Sequence, residues 1–112
     1  MRHRGDIWTA NLNPGKGTEP GKTRPVVILQ SQTLLDMDHP STIILPLTSQ
    51  LIDGAEPLRL RIKARDRLVS DSDILVDQVR AIDNQRLVDG PLTSLSAAEL
   101  SILLEYVGEV LG

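Results

Sequence analysis

The sequence predicts a mainly β fold of the α+β class, in which about five antiparallel strands form a small barrel or sandwich and one amphipathic helix packs on it. Short apolar segments are separated by turns rich in Gly, Pro, Asn and Asp over most of the 112 residues, which is typical of antiparallel strands. Apolar residues with helical spacing mark the C-terminal end. The length is that of one domain spanning residues 1–112.

The first two predicted strands flank a long loop. Residues 5–12 alternate between two faces, as on a half-buried strand. Residues 13–23 contain two Pro and three Gly, so we expect a surface loop there. The apolar run 26–29, within a strand over residues 25–30, lacks alternation. That pattern predicts a strand covered on both faces.

The middle of the sequence predicts two further strands. Residues 31–40 form a connection with one helical turn around residues 33–36, and residues 42–48 form the third strand. Pro46 has no N–H for a sheet ladder, so we expect it at an edge or a bulge. Residues 57–65 alternate and place four cations on one strand face: Arg59, Arg61, Lys63 and Arg65. That face is either solvated, as on an edge strand, or directed at an anion.

A strand and a helix complete the prediction. Residues 74–82 predict a strand with Gln78 on the same face as Ile74 and Val76, and residues 83–88 predict a short helical turn. Ser96 and Glu99 have the spacing of a capping box, which begins a helix. Apolar residues then recur in one helical stripe, formed by Leu100, Leu103, Leu104, Val107, Val110 and Leu111.

Composition and charge limit the classes of function. The net charge is −3, but residues 1–67 hold ten Lys/Arg against seven Asp/Glu, whereas residues 68–112 hold two against eight. A basic groove is therefore compatible with an acidic total charge. The sequence has no Cys and no apolar run long enough to span a membrane, so we expect a cytoplasmic protein. Aromatic residues make up only 2%, which disfavours RNA binding by a row of stacked aromatic side chains.

Arg24 is the first candidate for chemistry. It lies between the polar loop and the buried strand, and Pro25 restricts its backbone to extended conformations. A guanidinium there can hold two phosphate oxygens, although an ordinary surface Arg fits the same pattern. The sequence lacks the motifs of P-loop, dinucleotide-binding and zincin proteins. Asp71, Asp73 and Asp77 do not form a calcium loop, so we expect them to be solvated and predict no metal and no cofactor.

Several segments, taken in order, resemble the MazF/PemK toxins. The matching segments are residues 4–8 (RGDIW), 11–14 (NLNP), 16–19 (KGTE), 22–29 (KTRPVVIL), 46–50 (PLTSQ) and 75–83 (LVDQVRAID). The resemblance implies an SH3-like barrel, a homodimer and the toxin of a bacterial type II toxin–antitoxin system. Its partner would be a MazE-like antitoxin with an acidic, partly disordered segment.

The same resemblance implies a metal-independent endoribonuclease that cuts single-stranded RNA at a short sequence. Attack by the substrate's own 2′-hydroxyl would leave a 2′,3′-cyclic phosphate and a 5′-hydroxyl. The catalytic residues of the family correspond to Arg24, Thr48 and Glu19, and its substrate-contacting glutamine corresponds to Gln78. We also expect five residues around them to contact RNA: Lys16, Lys22, Thr23, Ser49 and Gln50.

Two other classes of function are alternatives. A non-catalytic SH3-like module for RNA or peptide would share the fold but lack the Arg24–Thr48 pair. A gyrase poison of the CcdB kind depends on its terminal residues, typically with a Trp near the end, whereas this sequence ends in Val110, Leu111 and Gly112.

Overall fold

The computed structural model describes residues 1–18 and 21–112, and these contain seven strands and two α-helices. A 3-10 turn at Asn84–Arg86 separates the last two strands. The strands are β1 (Asp6–Asn11), β2 (Thr23–Ile28), β3 (Ser41–Thr48), β4 (Arg59–Ile62), β5 (Ser72–Leu75), β6 (Arg80–Asp83) and β7 (Leu87–Ser94), and the helices are α1 (Gln32–Asp36) and α2 (Ala97–Leu111).

The strands form one sheet in the order β4-β5-β3-β2-β1-β7, with β6 paired to β3 beside β5. Each of these neighbouring pairs is antiparallel. The predicted mainly β class, with antiparallel strands and a C-terminal helix, is confirmed, although the described residues form seven strands rather than five. The helical turn predicted around residues 33–36 is α1.

Strand β2 is buried on both faces, as its lack of alternation predicts. Val27 and the following Leu29 pack in one apolar cluster, whereas Val26 and Ile28 pack in a second cluster on the opposite face. Helix α2 covers the first cluster, where its Leu103 is fully buried. The core of the domain is therefore aliphatic and lies on both sides of β2.

Pro46 lies within the sheet and not at its edge, which corrects that part of the prediction. It is buried in β3 and pairs with Val26 of β2 on one side. On the other side, β3 pairs with β6 up to Ile44 and with β5 from Leu47 onward. Pro46 thus falls where β3 changes partners, so the ladder on that side needs no donor from it.

The single strand predicted over residues 74–82 is wrong. Strand β5 ends at Leu75, a turn follows, and β6 begins only at Arg80. The amide of Gln78 donates to the carbonyl of Leu75 (3.1 Å) and thereby closes this turn. Gln78 therefore belongs to a connection, and it does not share a strand face with Ile74.

Strand β7 was not predicted, because the Gly90-Pro91 pair inside it has the composition of a turn. The strand pairs with β1 through an irregular register around Thr9, which accommodates the missing N–H of Pro91. Gly90 packs against the indole of Trp8, and a Cβ at this position would lie 2.4 Å from Trp8 Cδ2. The absence of a side chain is thus what allows this close approach.

Helix α2 begins with the predicted capping box. Ser96 Oγ accepts from the amide of Glu99 (3.1 Å), and Glu99 Oε1 accepts from the amide of Ser96 (2.9 Å). The same carboxylate receives two hydrogen bonds from Arg65, from Nη1 (2.9 Å) and from Nη2 (2.7 Å). These bonds lower the pKa of Glu99 to about 2, and its amide contact with Ser96 acts in the same direction. One side chain therefore both starts the helix and fastens it to the connection after β4.

Candidate active site

An open cleft of about 950 Å³ lies where β2 begins and β3 ends. Its walls combine these two strand ends with β4, β5, β7 and the segment that joins β4 to β5. Among the predicted site residues, six line it: Lys22, Thr23, Arg24, Thr48, Ser49 and Gln50. Segments distant in the sequence thus converge on one concave surface, the usual location of a binding site.

Arg24 is fixed at the rim of this cleft by two backbone carbonyls. Its Nε donates to the carbonyl of Gly21 (3.0 Å), and its Nη1 donates to the carbonyl of Leu47 (3.3 Å). Within the described residues, no hydrogen bond engages Nη2. The guanidinium is therefore oriented by the protein and keeps donors for an anion in the cleft.

Thr48 lines the same cleft as Arg24 and follows Leu47, whose carbonyl binds the guanidinium. The β2–β3 register pairs Val26 with Pro46, and continuing it by two residues places Arg24 opposite Thr48. Side chains in such positions have Cβ atoms about 5 Å apart. The hydroxyl of Thr48 accepts a hydrogen bond from the amide of Gln50 (3.2 Å), so its own hydrogen is available for donation. The two strand ends therefore present a cation and a hydroxyl donor to the same space.

Asp73 is buried, which corrects the prediction that it is solvated. Its side chain is 1% exposed and lies next to Thr48 in the β3–β5 register. It accepts from Arg61 Nε (2.5 Å), from Arg59 Nη1 (3.0 Å) and from the amide of Ile52 (3.0 Å). Burial alone would raise the pKa of Asp73, but these hydrogen bonds outweigh it and hold the pKa below its usual value.

The predicted row of cations on residues 57–65 is largely paired with carboxylates. Arg59 and Arg61 share Asp73, and Arg61 also contacts the exposed Asp53 (2.9 Å). Arg65 is held by Glu99 of α2. Of these cations only Arg59 lines the cleft. The face is thus neither simply solvated nor a free phosphate-binding surface, because the carboxylates arrive from distant parts of the sequence.

Several residues line the cleft that sequence reasoning did not select. Thr9 comes from β1, Asp89 from β7, and Arg67 and Ser70 from the connection between β4 and β5. Arg67 pairs with Asp89. None of these positions belongs to a motif. Thr9 is beside the Arg24 strand end because β1 pairs with β2, Asp89 is there because β7 pairs with β1, and the amide of Arg67 bonds to Leu92 of β7. No local signal in the sequence could have identified them.

Nearly the whole chain matches a known family. The family model described as PemK-like, MazF-like toxin of type II toxin–antitoxin system matches residues 3–111. The chain belongs to this family. Within it, the chain is 38% identical over 97 residues to Endoribonuclease MazF of Staphylococcus saprophyticus, an alignment that covers 86% of this chain and 79% of that protein. The predicted family resemblance is therefore confirmed.

Solved structures of PemK/MazF-like toxins share the fold. The crystal structure of MazF from Deinococcus radiodurans superposes with a TM-score of 0.80 at 22% identity and covers 99% of this chain and 96% of that chain. An endoribonuclease from a mycobacterial species, solved in complex with its cognate antitoxin, superposes with a TM-score of 0.76 at 16% identity, covering 100% and 96%. The topology described above is thus that of the PemK/MazF fold.

The remaining residues predicted from the family lie elsewhere. Lys16 is exposed on the loop before β2, and Gln78 lies in the turn after β5, so neither lines the cleft. Glu19 lies outside the described residues. Within residues 1–18 and 21–112, no group of three His, Asp or Glu side chains is arranged to hold a metal ion. No helix in the same residues is long and apolar enough to cross a membrane.

Proposed function

We propose that this protein is the toxin of a type II toxin–antitoxin system and that it cleaves single-stranded RNA at the Arg24–Thr48 cleft. The observation that carries the proposal is the hydrogen bond from Arg24 to the carbonyl of Leu47, which holds the guanidinium in the cleft that Thr48 also lines, in a chain of the PemK/MazF-like family. The relative named Endoribonuclease MazF supports the class of reaction.

The chemistry of RNA cleavage explains why these two groups are needed. The 2′-hydroxyl forms a bond to the adjacent phosphorus, and the bond from phosphorus to the 5′-oxygen of the next nucleotide breaks. A proton leaves the 2′-oxygen and another is delivered to the departing 5′-oxygen, which gives a 2′,3′-cyclic phosphate and a 5′-hydroxyl. Negative charge grows on the non-bridging oxygens in the transition state, where Arg24 and the Thr48 hydroxyl would donate hydrogen bonds.

The roles in proton transfer follow from acidity. An Arg side chain has a pKa above about 12, so Arg24 suits charge stabilisation and proton donation better than service as a base. Glu19 has the chemistry of a general base for the 2′-hydroxyl, and this role stays a prediction. Because the substrate supplies its own nucleophile, the proposed mechanism requires no metal ion, and cleavage should persist in EDTA.

The cleft also suggests which side chains bind the strand on either side of the cut. Lys22, Thr23, Ser49 and Gln50 surround the Arg24–Thr48 pair and can contact phosphates or sugars. Lys16 and Gln78 would contact RNA only if the bound strand, or a second copy of the chain, extends the surface beyond this cleft. We infer that a homodimer provides such an extension, and light scattering that returns a 12.3 kDa particle with full activity would contradict this.

The partner is proposed to be a MazE-like antitoxin. An acidic, partly disordered segment laid along the cleft would compete with RNA for Lys22 and Arg24. Solved complexes of MazF with MazE from Deinococcus radiodurans share the fold of this chain and support such a partnership. We place the reaction in the cytoplasm, where RNA is available to a toxin of this kind.

Single-turnover cleavage of an end-labelled RNA tests the proposal. Arg24→Ala should reduce the rate at least 100-fold, because the loss of one transition-state donor typically costs about 3–4 kcal/mol. Arg24→Lys should restore little, since an ammonium cannot reproduce the two-pronged contact. Thr48→Ser should retain more activity than Thr48→Val, which keeps the shape and removes the donor. A wild-type cleavage rate for Arg24→Ala, or a product ending in a 3′-hydroxyl, would contradict the proposed mechanism. RNA binding without cleavage by the wild-type protein would favour a non-catalytic module.

A further inference from the structure

Asp73 joins several parts of the cleft wall. Its buried carboxylate binds Arg59 and Arg61 of β4 and the amide of Ile52, which lies in the connection after β3. Residues 49–52 belong to no strand or helix. Contacts from neighbouring elements must therefore fix this segment in place.

Those contacts lead from Asp73 to the reacting end of the cleft. Arg59 Nη1, which donates to Asp73, also donates to the carbonyl of Gln50 (2.8 Å). The amide of Gln50 donates in turn to Thr48 Oγ1 (3.2 Å). The hydroxyl of Thr48 thus accepts from the amide of Gln50, a residue whose carbonyl is held by Arg59, the ion-pair partner of Asp73.

The sheet register brings the same residues together by a second route. Asp73 pairs with Thr48 of β3 on one side and with Arg61 of β4 on the other. Residues that pair directly across antiparallel strands lie on the same face, with Cβ atoms about 5 Å apart. Asp73 therefore stands between the proposed catalytic Thr48 and the two arginines of β4.

We propose that Asp73 is a positioning residue for RNA cleavage, which holds residues 49–52 and Arg59 so that the Thr48 hydroxyl and the cleft-lining Gln50 face the substrate. This inference rests on the proposed function. It also explains the burial of a carboxylate in an aliphatic domain, since the bonds to Arg59, Arg61 and Ile52 compensate its desolvation.

A positioning role predicts opposite effects on binding and on cleavage. Asp73→Asn removes a negative charge beside Arg59, so the electrostatic attraction of the cleft for RNA should stay the same or rise. The hydroxyl of Thr48 and the segment 49–52 would at the same time lose their fixed place, and cleavage should fall. A merely structural role would instead weaken folding, binding and cleavage together.

The test makes two measurements on one labelled RNA sequence. Single-turnover cleavage is measured with the unmodified RNA, and equilibrium binding is measured with a form whose 2′-hydroxyl at the cut site is replaced by hydrogen. Asp73→Asn should cleave at least about tenfold more slowly, and a misplacement of 1 Å can cost about 100-fold. Its Kd should be no higher than that of the wild type. The matched control is Asp53→Asn, which removes the exposed carboxylate bound to Arg61 but leaves Asp73, Arg59 and Ile52 unchanged. This control should cleave within about twofold of the wild type.

A second variant covers the case in which Asp73→Asn fails to fold. Arg59→Lys keeps the charge in the cleft but cannot bridge Asp73 and the Gln50 carbonyl in the same way. It should bind RNA with unchanged affinity and cleave several-fold more slowly. The inference is overturned if folded Asp73→Asn cleaves RNA at the wild-type rate. If Asp73→Asn is unfolded, cleavage at the wild-type rate by Arg59→Lys overturns it. A parallel loss of affinity and cleavage rate also overturns it. A wild-type protein that cleaves no RNA would instead refute the proposed function.

Discussion

The attachment of α2 to the sheet predicts a stability effect that two substitutions at one position can separate. Glu99→Gln removes the charge that binds Arg65, but Gln still serves at the third helical position of a capping box. Glu99→Ala removes both interactions. The side chains of Arg65 and Glu99 are 30% and 28% exposed, and their contact is bidentate. We therefore expect the upper end of the range for exposed ion pairs, a loss of about 1 kcal/mol for Glu99→Gln.

Glu99→Ala should cost about 1 kcal/mol more, the typical contribution of a cap. For a domain of this size each 1 kcal/mol lowers Tm by about 4 °C or more. Urea unfolding at a fixed protein concentration measures both losses, and Glu109→Gln on the exposed part of α2 is the matched control. Equal losses for Glu99→Gln and Glu99→Ala would refute the separation of the ion pair from the cap.

The pH dependence of the same variants provides a sharper check. The hydrogen bonds from Arg65, with a smaller contribution from Ser96, lower the pKa of Glu99 from 4.5 to about 2 in the folded protein. A carboxylate with a depressed pKa stabilises the fold fully above its unfolded pKa, and this contribution disappears as the pH falls through the folded pKa. The difference in unfolding free energy between wild type and Glu99→Gln should therefore be constant above about pH 5 and shrink toward pH 2. A difference that stays the same from pH 7 to pH 2 would show that the charge of Glu99 is not its source.

Two further predictions concern packing and RNA binding. Gly90→Ala should destabilise the fold by about 1–3 kcal/mol in a thermal melt, because its Cβ would lie 2.4 Å from Trp8. Gly108→Ala has open space in α2 and should stabilise the fold by up to about 1 kcal/mol in the same melt. Lys22→Ala should reduce the slope of log Kd for RNA against log salt concentration by about 0.7, the value for one phosphate contact on a single strand. Lys16→Ala, outside the cleft, should change this slope less. Equal effects of the two variants would show that the loop before β2 also contacts RNA.

Elements with a strong local pattern could be predicted from the sequence, and elements defined by their neighbours could not. The predictions made from the unbroken apolar run of β2 and from the capping box of α2 are both confirmed, because burial on two faces and helix capping depend on adjacent residues. Strand β7 contains Gly90-Pro91, whose composition is that of a turn. The pair fits in a strand because Gly90 leaves room for the indole of Trp8 and because the register with β1 is irregular there.

The same distinction applies to the candidate site. Arg24 and Thr48 could be selected from the sequence because each lies in a segment that resembles the family, and the β2–β3 register then places them together. Asp73 could not be selected, because its neighbours in the sequence predict only a solvated carboxylate. Its burial follows from a register that puts Arg61 on one side and Thr48 on the other.

Charge along the sequence is a poor guide to charge in the folded domain. The basic residues 1–67 and the acidic residues 68–112 contact one another, so that Asp73 forms ion pairs with both Arg59 and Arg61, and Glu99 forms one with Arg65. At the cleft, by contrast, Lys22 and Arg24 have no carboxylate partner within the described residues. A row of cations in the sequence therefore forms structural ion pairs, whereas Lys22 and Arg24 beside the start of β2 line the cleft. The RNA backbone should accordingly be held most strongly at the Arg24 end of the cleft.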